Sequence, residues 1–200
     1  LLTFNVSGVL SHFGIFVLYL LIPLLEIILP KDNYNFTKAE KKLAKEDKYY
    51  NWVLYLLVPL HVFVVYEFLI TVTNPDIILS DLIACVMMMG TLLGVLGING
   101  GHELGHKSDE PVKVFLAHVL LTTSMQNHFM TYHNSGHHRD VATPNDLTTA
   151  RKGDVFYVFA IKSQIGGYFK TWRLESEKLK MKKRSQLLNP MIINTILPWS

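Results

Sequence analysis

Nine histidines occur in the chain (His12, His61, His102, His106, His118, His128, His133, His137 and His138), and five of them fall into two tight groups. The first group is Gly100-Gly101-His102-Glu103-Leu104-Gly105-His106-Lys107, the second His133-Asn134-Ser135-Gly136-His137-His138. In each group two histidines stand four apart, which on a helix puts both imidazoles on one face, a turn apart, where they can bind one cation. His138 adds a further nitrogen beside them. Imidazole suits zinc, copper, iron and nickel. A structural zinc site takes four ligands and usually some thiolate. The single cysteine, Cys85, lies in an apolar run and supplies neither an internal disulfide nor a cysteine cluster. Five imidazoles exceed one tetrahedral site, which points to two metals or an octahedral one. Redox-active iron with open positions fits best. His12, His61 and His118 stand alone in apolar stretches and read as core or interface histidines. His128, five residues before His133, reads as a packing or supporting residue.

Two competing chemistries share these residues. His102-Glu103-x-x-His106 also matches the zinc-protease pattern, in which two histidines hold zinc and the glutamate is the general base. That reading leaves His133, His137 and His138 without a task, because such a site needs only one more ligand. A membrane protein that handles metal without catalysis is the third possibility.

The elements that must position these groups follow from where the charge lies. The chain has 200 residues, half of them apolar, with a mean hydropathy of +0.24 and a net charge of +3. All 19 Lys and Arg fall between Lys31 and Arg184, and none occurs in residues 1–30, 49–106 or 185–200. Cations confined to loops between apolar runs mark a membrane protein. No basic groove-reading motif is present, so nucleic acid is not an expected partner. Helical spans are predicted at about residues 4–29, 52–72 and 82–101, each near the roughly 20 residues that cross a 30 Å hydrocarbon core. The loop at 31–50 carries six Lys and four acids, and by the positive-inside rule it faces the cytoplasm. The loop at 73–81 is then outside, and the third span delivers residues 100–110 to the cytoplasmic face. By this count an odd number of spans, one being the simplest, lies upstream. The chain begins at Leu1, shows no signal peptide and reads as cut at both ends.

Residues 112–131 are apolar over about the length of a span. A straight crossing would carry His133 roughly 30 Å from residue 111 and part the two histidine groups. If both hold one site, this stretch must lie along the interface, break, or fold back, and that is the expectation. Residues 155–184 begin apolar and end basic, with Trp172, Leu174 and Leu179 among Lys and Arg. They read as an amphipathic cytoplasmic helix, either against anionic headgroups or in solvent. Residues 191–200 read as the start of a further span. The expected fold is all-α: an integral-membrane helical bundle, one domain over 1–200, with a cytoplasmic histidine-box metal site.

At the two histidine groups the sequence resembles the membrane alkane hydroxylases (alkane 1-monooxygenases). His102-Glu103-Leu104-Gly105-His106-Lys107 is similar to the first histidine box of that family. Residues 133–144, HNSGHHRDVATP, with Asp146, Ala150 and Arg151 after them, are similar to the second box and its tail. Pro23-Leu24-Leu25-Glu26, Tyr49-Tyr50, Val58-Pro59-Leu60-His61 and Trp172-Arg173-Leu174-Glu175 extend the likeness over nearly the whole chain. The resemblance implies a fatty-acid-hydroxylase/desaturase-like domain with a non-haem site of two Fe ions. It implies terminal hydroxylation of alkanes to primary alcohols with O2, on a hydrocarbon entering from the lipid. Electrons would come from rubredoxin and an NADH-dependent reductase, and the setting would be a bacterial inner membrane. His102, His106, His133, His137 and His138 map onto the family's metal ligands. Glu103 and Asp140 are candidates for orienting ligand imidazoles by accepting their other N–H. Lys and Arg at 170–184 are candidates for receiving an acidic electron carrier. The family's later ligands, in an Asn-Tyr-x-Glu-His segment and a third histidine box, do not occur in these 200 residues. Tyr132 stands where the family usually has Glu, and Asn145 and Leu147 also depart from its pattern. The related xylene monooxygenases and, more distantly, the fatty-acid desaturases share the histidine-box logic.

Overall fold

In a computed structural model, residues 1–106 and 109–197 are described, apart from the side chains of residues 45 and 46. Helices account for the regular structure, and no strand occurs among the described residues. Among the described residues, three helices are long and apolar enough to cross a bilayer: Gly8–Ile28, Lys48–Val72 and Leu79–Gly105. The protein is an all-α integral membrane protein. The second of these starts four residues before Trp52, because Asp47 caps it by accepting the Tyr49 N–H at 2.8 Å. The third extends past residue 101 and carries His102 in its last turns, with His106 just past its end.

The chain forms two compact units, residues 1–100 and 101–200. In the first, Phe4, Val64, Cys85 and Met89 form a buried core that Phe68, Met88 and Leu92 extend. Cys85 is buried and free. His61 is buried in this unit too. A buried carboxylate, Asp81, accepts the Gly8 N–H and the Ser11 hydroxyl, each at 2.9 Å. Gly8 takes a φ of +68°, a left-handed conformation that glycine adopts without a Cβ penalty, and this aims its N–H at the acid. The outward faces of the long helices are apolar, Leu56, Phe63 and Leu69 among them. Hydrocarbon satisfies such surfaces, and the helices keep their backbone polar groups bonded internally. Between the first two spans, the helix Lys38–Glu46 opens with a capping box in which Thr37 and Glu40 satisfy each other's backbone N–H groups.

In the second unit the apolar stretch after residue 111 becomes a 13-residue helix, Pro111–Thr123. At 1.5 Å per residue it is about 20 Å long, short of a roughly 30 Å hydrocarbon core. The chain turns at 124–128, with Met125 at a φ of +57°, and resumes as a helical segment over 129–140. The long helix Phe156–Met181 packs against that segment, and the short helix Pro190–Ile196 packs against the long helix in turn. The sequence expectation of a span beginning at 191 extends to residues 198–200, which lie outside the described residues.

Candidate metal centre

Two features bring the first histidine group close to its neighbours. The Cα of Gly101 faces Leu121, where a Cβ would lie 2.7 Å from the leucine Cγ. Only the absence of a side chain lets this last turn rest on the helix Pro111–Thr123. Leu104, between the two histidines, is fully buried with Ala117, Leu120 and Leu121. The first group is thereby held by packing on one face while His102 and His106 point from another.

The second group depends on a change in helix type. Residues His133–His137 form a π-helical turn, in which the His138 N–H bonds to the His133 carbonyl five residues back. In an α-helix, at about 100° per residue, positions five apart diverge by roughly 140°. The wider π turn reduces that to about 50°. His133 and His138 therefore share a face that a regular helix would deny them.

The ring nitrogens converge. His102 Nε2 lies 2.9 Å from His106 Nε2 and 2.9 Å from His133 Nε2, and His133 Nε2 lies 2.8 Å from His138 Nε2. Ligand atoms of His102, His106 and His133 all lie within 4.8 Å of one another. An imidazole nitrogen carries one proton or one in-plane lone pair, and so makes at most one straight hydrogen bond. Four nitrogens in a row can then satisfy two contacts, yet three are present. A cation receiving the lone pairs removes the conflict. Adjacent ligands at right angles, about 2.1 Å from a metal, would sit about 3.0 Å apart, so the spacing fits a metal with octahedral angles. Burial first, and then the imidazoles of His102, His138, His106 and His137, push the His133 ring down to about 4. It is therefore neutral at pH 7 and presents a lone pair, the form a metal requires. The Phe129 ring stacks on His133, with centroids 5.1 Å apart, and screens that side.

His137 stacks against His133 at 5.2 Å and turns its Nδ1 outward to Asp146 Oδ2 at 2.8 Å. A carboxylate only accepts, so Nδ1 carries the proton and Nε2 keeps the lone pair. Asp146 is buried. Burial alone would raise its pKa, but hydrogen bonds from Thr149, Thr148 and His137 outweigh it and hold the carboxyl well below the usual range. Its other oxygen accepts the Tyr132 hydroxyl at 3.0 Å and the Thr148 hydroxyl at 2.7 Å.

The carboxylate that meets an imidazole is thus Asp146, whereas sequence reasoning selected Glu103 and Asp140. Glu103 is exposed, and among the described residues its carboxylate bonds to no imidazole. Asp140 accepts both the Arg139 guanidinium and the Lys170 ammonium, each at 2.9 Å. These cations lower the Asp140 pKa and take up its oxygens. Lys170 also donates to the Asn145 carbonyl and lies 5.6 Å over the Tyr132 ring, pinning the loop after the second box. The sequence signal for Asp146 was its place in that loop, but nothing there showed the loop folding back. Of the remaining histidines in this unit, His128 packs its ring on Tyr168 at 5.4 Å. Lys107, the end of the first box, lies outside the described residues.

No family model matches the chain. The chain is similar to alkane 1-monooxygenase 1 of Alcanivorax borkumensis, with 34% identity covering 90% of the chain and 45% of that protein. It is similar to the alkane 1-monooxygenase of Ectopseudomonas oleovorans, with 33% identity over 95% of the chain and 48% of that protein. A more distant similarity, 27% identity over 80% of the chain and 42% of the relative, joins it to the hydroxylase component of a Pseudomonas putida xylene/toluene monooxygenase. The chain spans about half the length of the curated relatives it matches.

Proposed function

The chain belongs to the alkane 1-monooxygenase family, and on that premise we propose that it is part of an O2-dependent membrane hydroxylase that converts alkanes to primary alcohols at the terminal carbon. The observation that carries the proposal is the convergence of imidazole nitrogens from two separate stretches at 2.8–2.9 Å. His102, His106, His133, His137 and His138 would hold two non-haem iron ions, together with ligands outside these 200 residues. Bound iron would supply the activation of O2 and the removal of hydrogen from a C–H bond that side-chain acid–base chemistry cannot break. The residues of this chain hold and shield. His133 stays neutral and keeps its lone pair free. Asp146 keeps the His137 proton on Nδ1 and fixes that ring's orientation. Phe129 excludes water from one face of His133. The apolar spans offer a hydrocarbon direct entry from the lipid.

The active site would face the cytoplasm of a bacterial inner membrane, as the Lys-rich loop at 31–50 suggests. The electron donor would be a rubredoxin-type carrier reduced by an NADH-dependent reductase. Exposed Arg173 and its neighbours on the helix Phe156–Met181 offer a basic surface for an acidic carrier.

The test is iron content and product identity of the full-length protein in membranes. About two iron atoms per chain, with a primary alcohol formed only when O2 and reductant are present, are expected. A single zinc with anaerobic peptide cleavage would replace this reading with the protease one. Metal without O2 consumption on any hydrocarbon would leave a metal-handling protein.

A further inference from the structure

We propose that Tyr132 is a positioning residue for His137, acting through Asp146; this rests on the reading of the histidines as metal ligands. Tyr132 is buried, and its hydroxyl is fully used. It donates to Asp146 Oδ1 at 3.0 Å and accepts the Leu147 N–H at 3.1 Å.

The partners of Asp146 divide into two kinds. The Thr148 N–H, the Thr148 hydroxyl and the Thr149 hydroxyl come from two and three residues further along the same loop. These bonds shape the turn but travel with it. The Thr148 hydroxyl also meets His137 Nδ1 at 2.8 Å, so the loop touches that ring through this hydroxyl as well as through the carboxylate. Among the described residues, the groups that reach Asp146 from outside the loop are Tyr132 and His137, one on each oxygen. Both belong to the helical segment that carries the second histidine group, five residues apart. On a regular α-helix their side chains would diverge by about 140° and could not reach one carboxylate. The π-helical turn at His133–His137 brings them to the same side.

The carboxylate is therefore bracketed from one helix. Tyr132 ties one oxygen to the helix, and the other oxygen sets the direction of the His137 N–H. Without the hydroxyl, Oδ1 keeps its Thr148 donors, but carboxylate and loop lose the Tyr132 tie to the helix and can shift together, and the His137 ring loses its aim toward the other imidazoles. The Tyr132 ring itself is held separately, against Gly136 and Gly167, so a phenylalanine can occupy the same volume.

The experiment uses the full-length protein in detergent, stripped of metal and titrated with Co(II) alone, with affinity read from the visible absorption of the bound ion. Tyr132→Phe should weaken Co(II) binding about tenfold, and Asp146→Asn by about 10–100-fold. The decisive measurement is the double variant. If Tyr132 acts through Asp146, Tyr132→Phe adds no further loss in the Asp146→Asn background. The same absence of effect is expected in a His137→Ala background, which serves if Asp146→Asn does not fold. A purely structural tyrosine would instead give losses that multiply. Multiplying losses, or wild-type Co(II) affinity in Tyr132→Phe, would overturn the inference and leave the metal centre standing. Failure of the unsubstituted protein to bind Co(II) or iron would remove the metal centre itself.

Discussion

Gly136 lies inside the π-helical turn, and replacing it with alanine sets two effects of opposite sign against each other. In a helix interior, alanine is favoured over glycine by about 1 kcal/mol. Against this, a Cβ on Gly136 would stand 2.8 Å from both Cδ2 and Cε2 of Tyr132. To restore ordinary contact at 3.4 Å the ring must retreat by about 0.6 Å (3.4 − 2.8). The ring is an inflexible group with 3% exposure, and its retreat would stretch hydroxyl bonds now at 3.0 and 3.1 Å. Overpacking costs about 1–3 kcal/mol, and a hydrogen bond to a charged group contributes about 1.5–3 kcal/mol. The steric effect wins, and Gly136→Ala is expected to destabilise the metal-free protein by about 1–3 kcal/mol. Denaturant unfolding of the full-length protein in detergent measures it. In a Tyr132→Leu background the ring is gone, and the same substitution should become stabilising by about 0.5–1 kcal/mol. An alanine variant at least as stable as the original in the unsubstituted background would refute the placement of Tyr132 against the π turn.

His133→Ala should lower Co(II) affinity more than His106→Ala, because His133 Nε2 meets both His102 and His138 whereas His106 Nε2 meets His102; parallel titrations decide it. Chelation of the full-length protein should abolish alkane turnover and lower its thermal midpoint, and ferrous iron should restore both, since a ligand bound only by the folded state stabilises it. Activity surviving complete chelation would contradict this. In the first unit, Asp81→Ala leaves the Gly8 N–H without its acceptor, while the Ser11 hydroxyl keeps the Gly8 carbonyl at 2.8 Å, and should cost about 1–3 kcal/mol. Asp81→Asn, which keeps one acceptor oxygen, should cost less in the same unfolding assay. Thr37→Ala removes one half of the capping box and should cost about 1 kcal/mol without changing metal affinity.

The helical elements and the candidate donor histidines were legible in the sequence alone. A span shows itself through length and composition, because a bilayer demands about 20 apolar residues in a row. The His-x-x-x-His spacing shows itself because the helical repeat is local. Even the conflict over residues 112–131 was visible, since a straight crossing would have separated two groups of identical chemistry. What tertiary structure decided was which carboxylate serves which imidazole. Asp140 is nearer in sequence to the histidines, but Lys170, thirty residues on, occupies it. Asp146 reaches His137 because its loop folds back onto the helix, pinned by Lys170 and Tyr132. The π turn was equally hidden: no residue type encodes it, and it arises where packing favours one extra residue per turn. It nonetheless places His138 beside His133 and Tyr132 beside His137. Spacing along a chain records only local geometry, while the choice among equivalent acids is made by long-range contacts that a linear pattern does not carry.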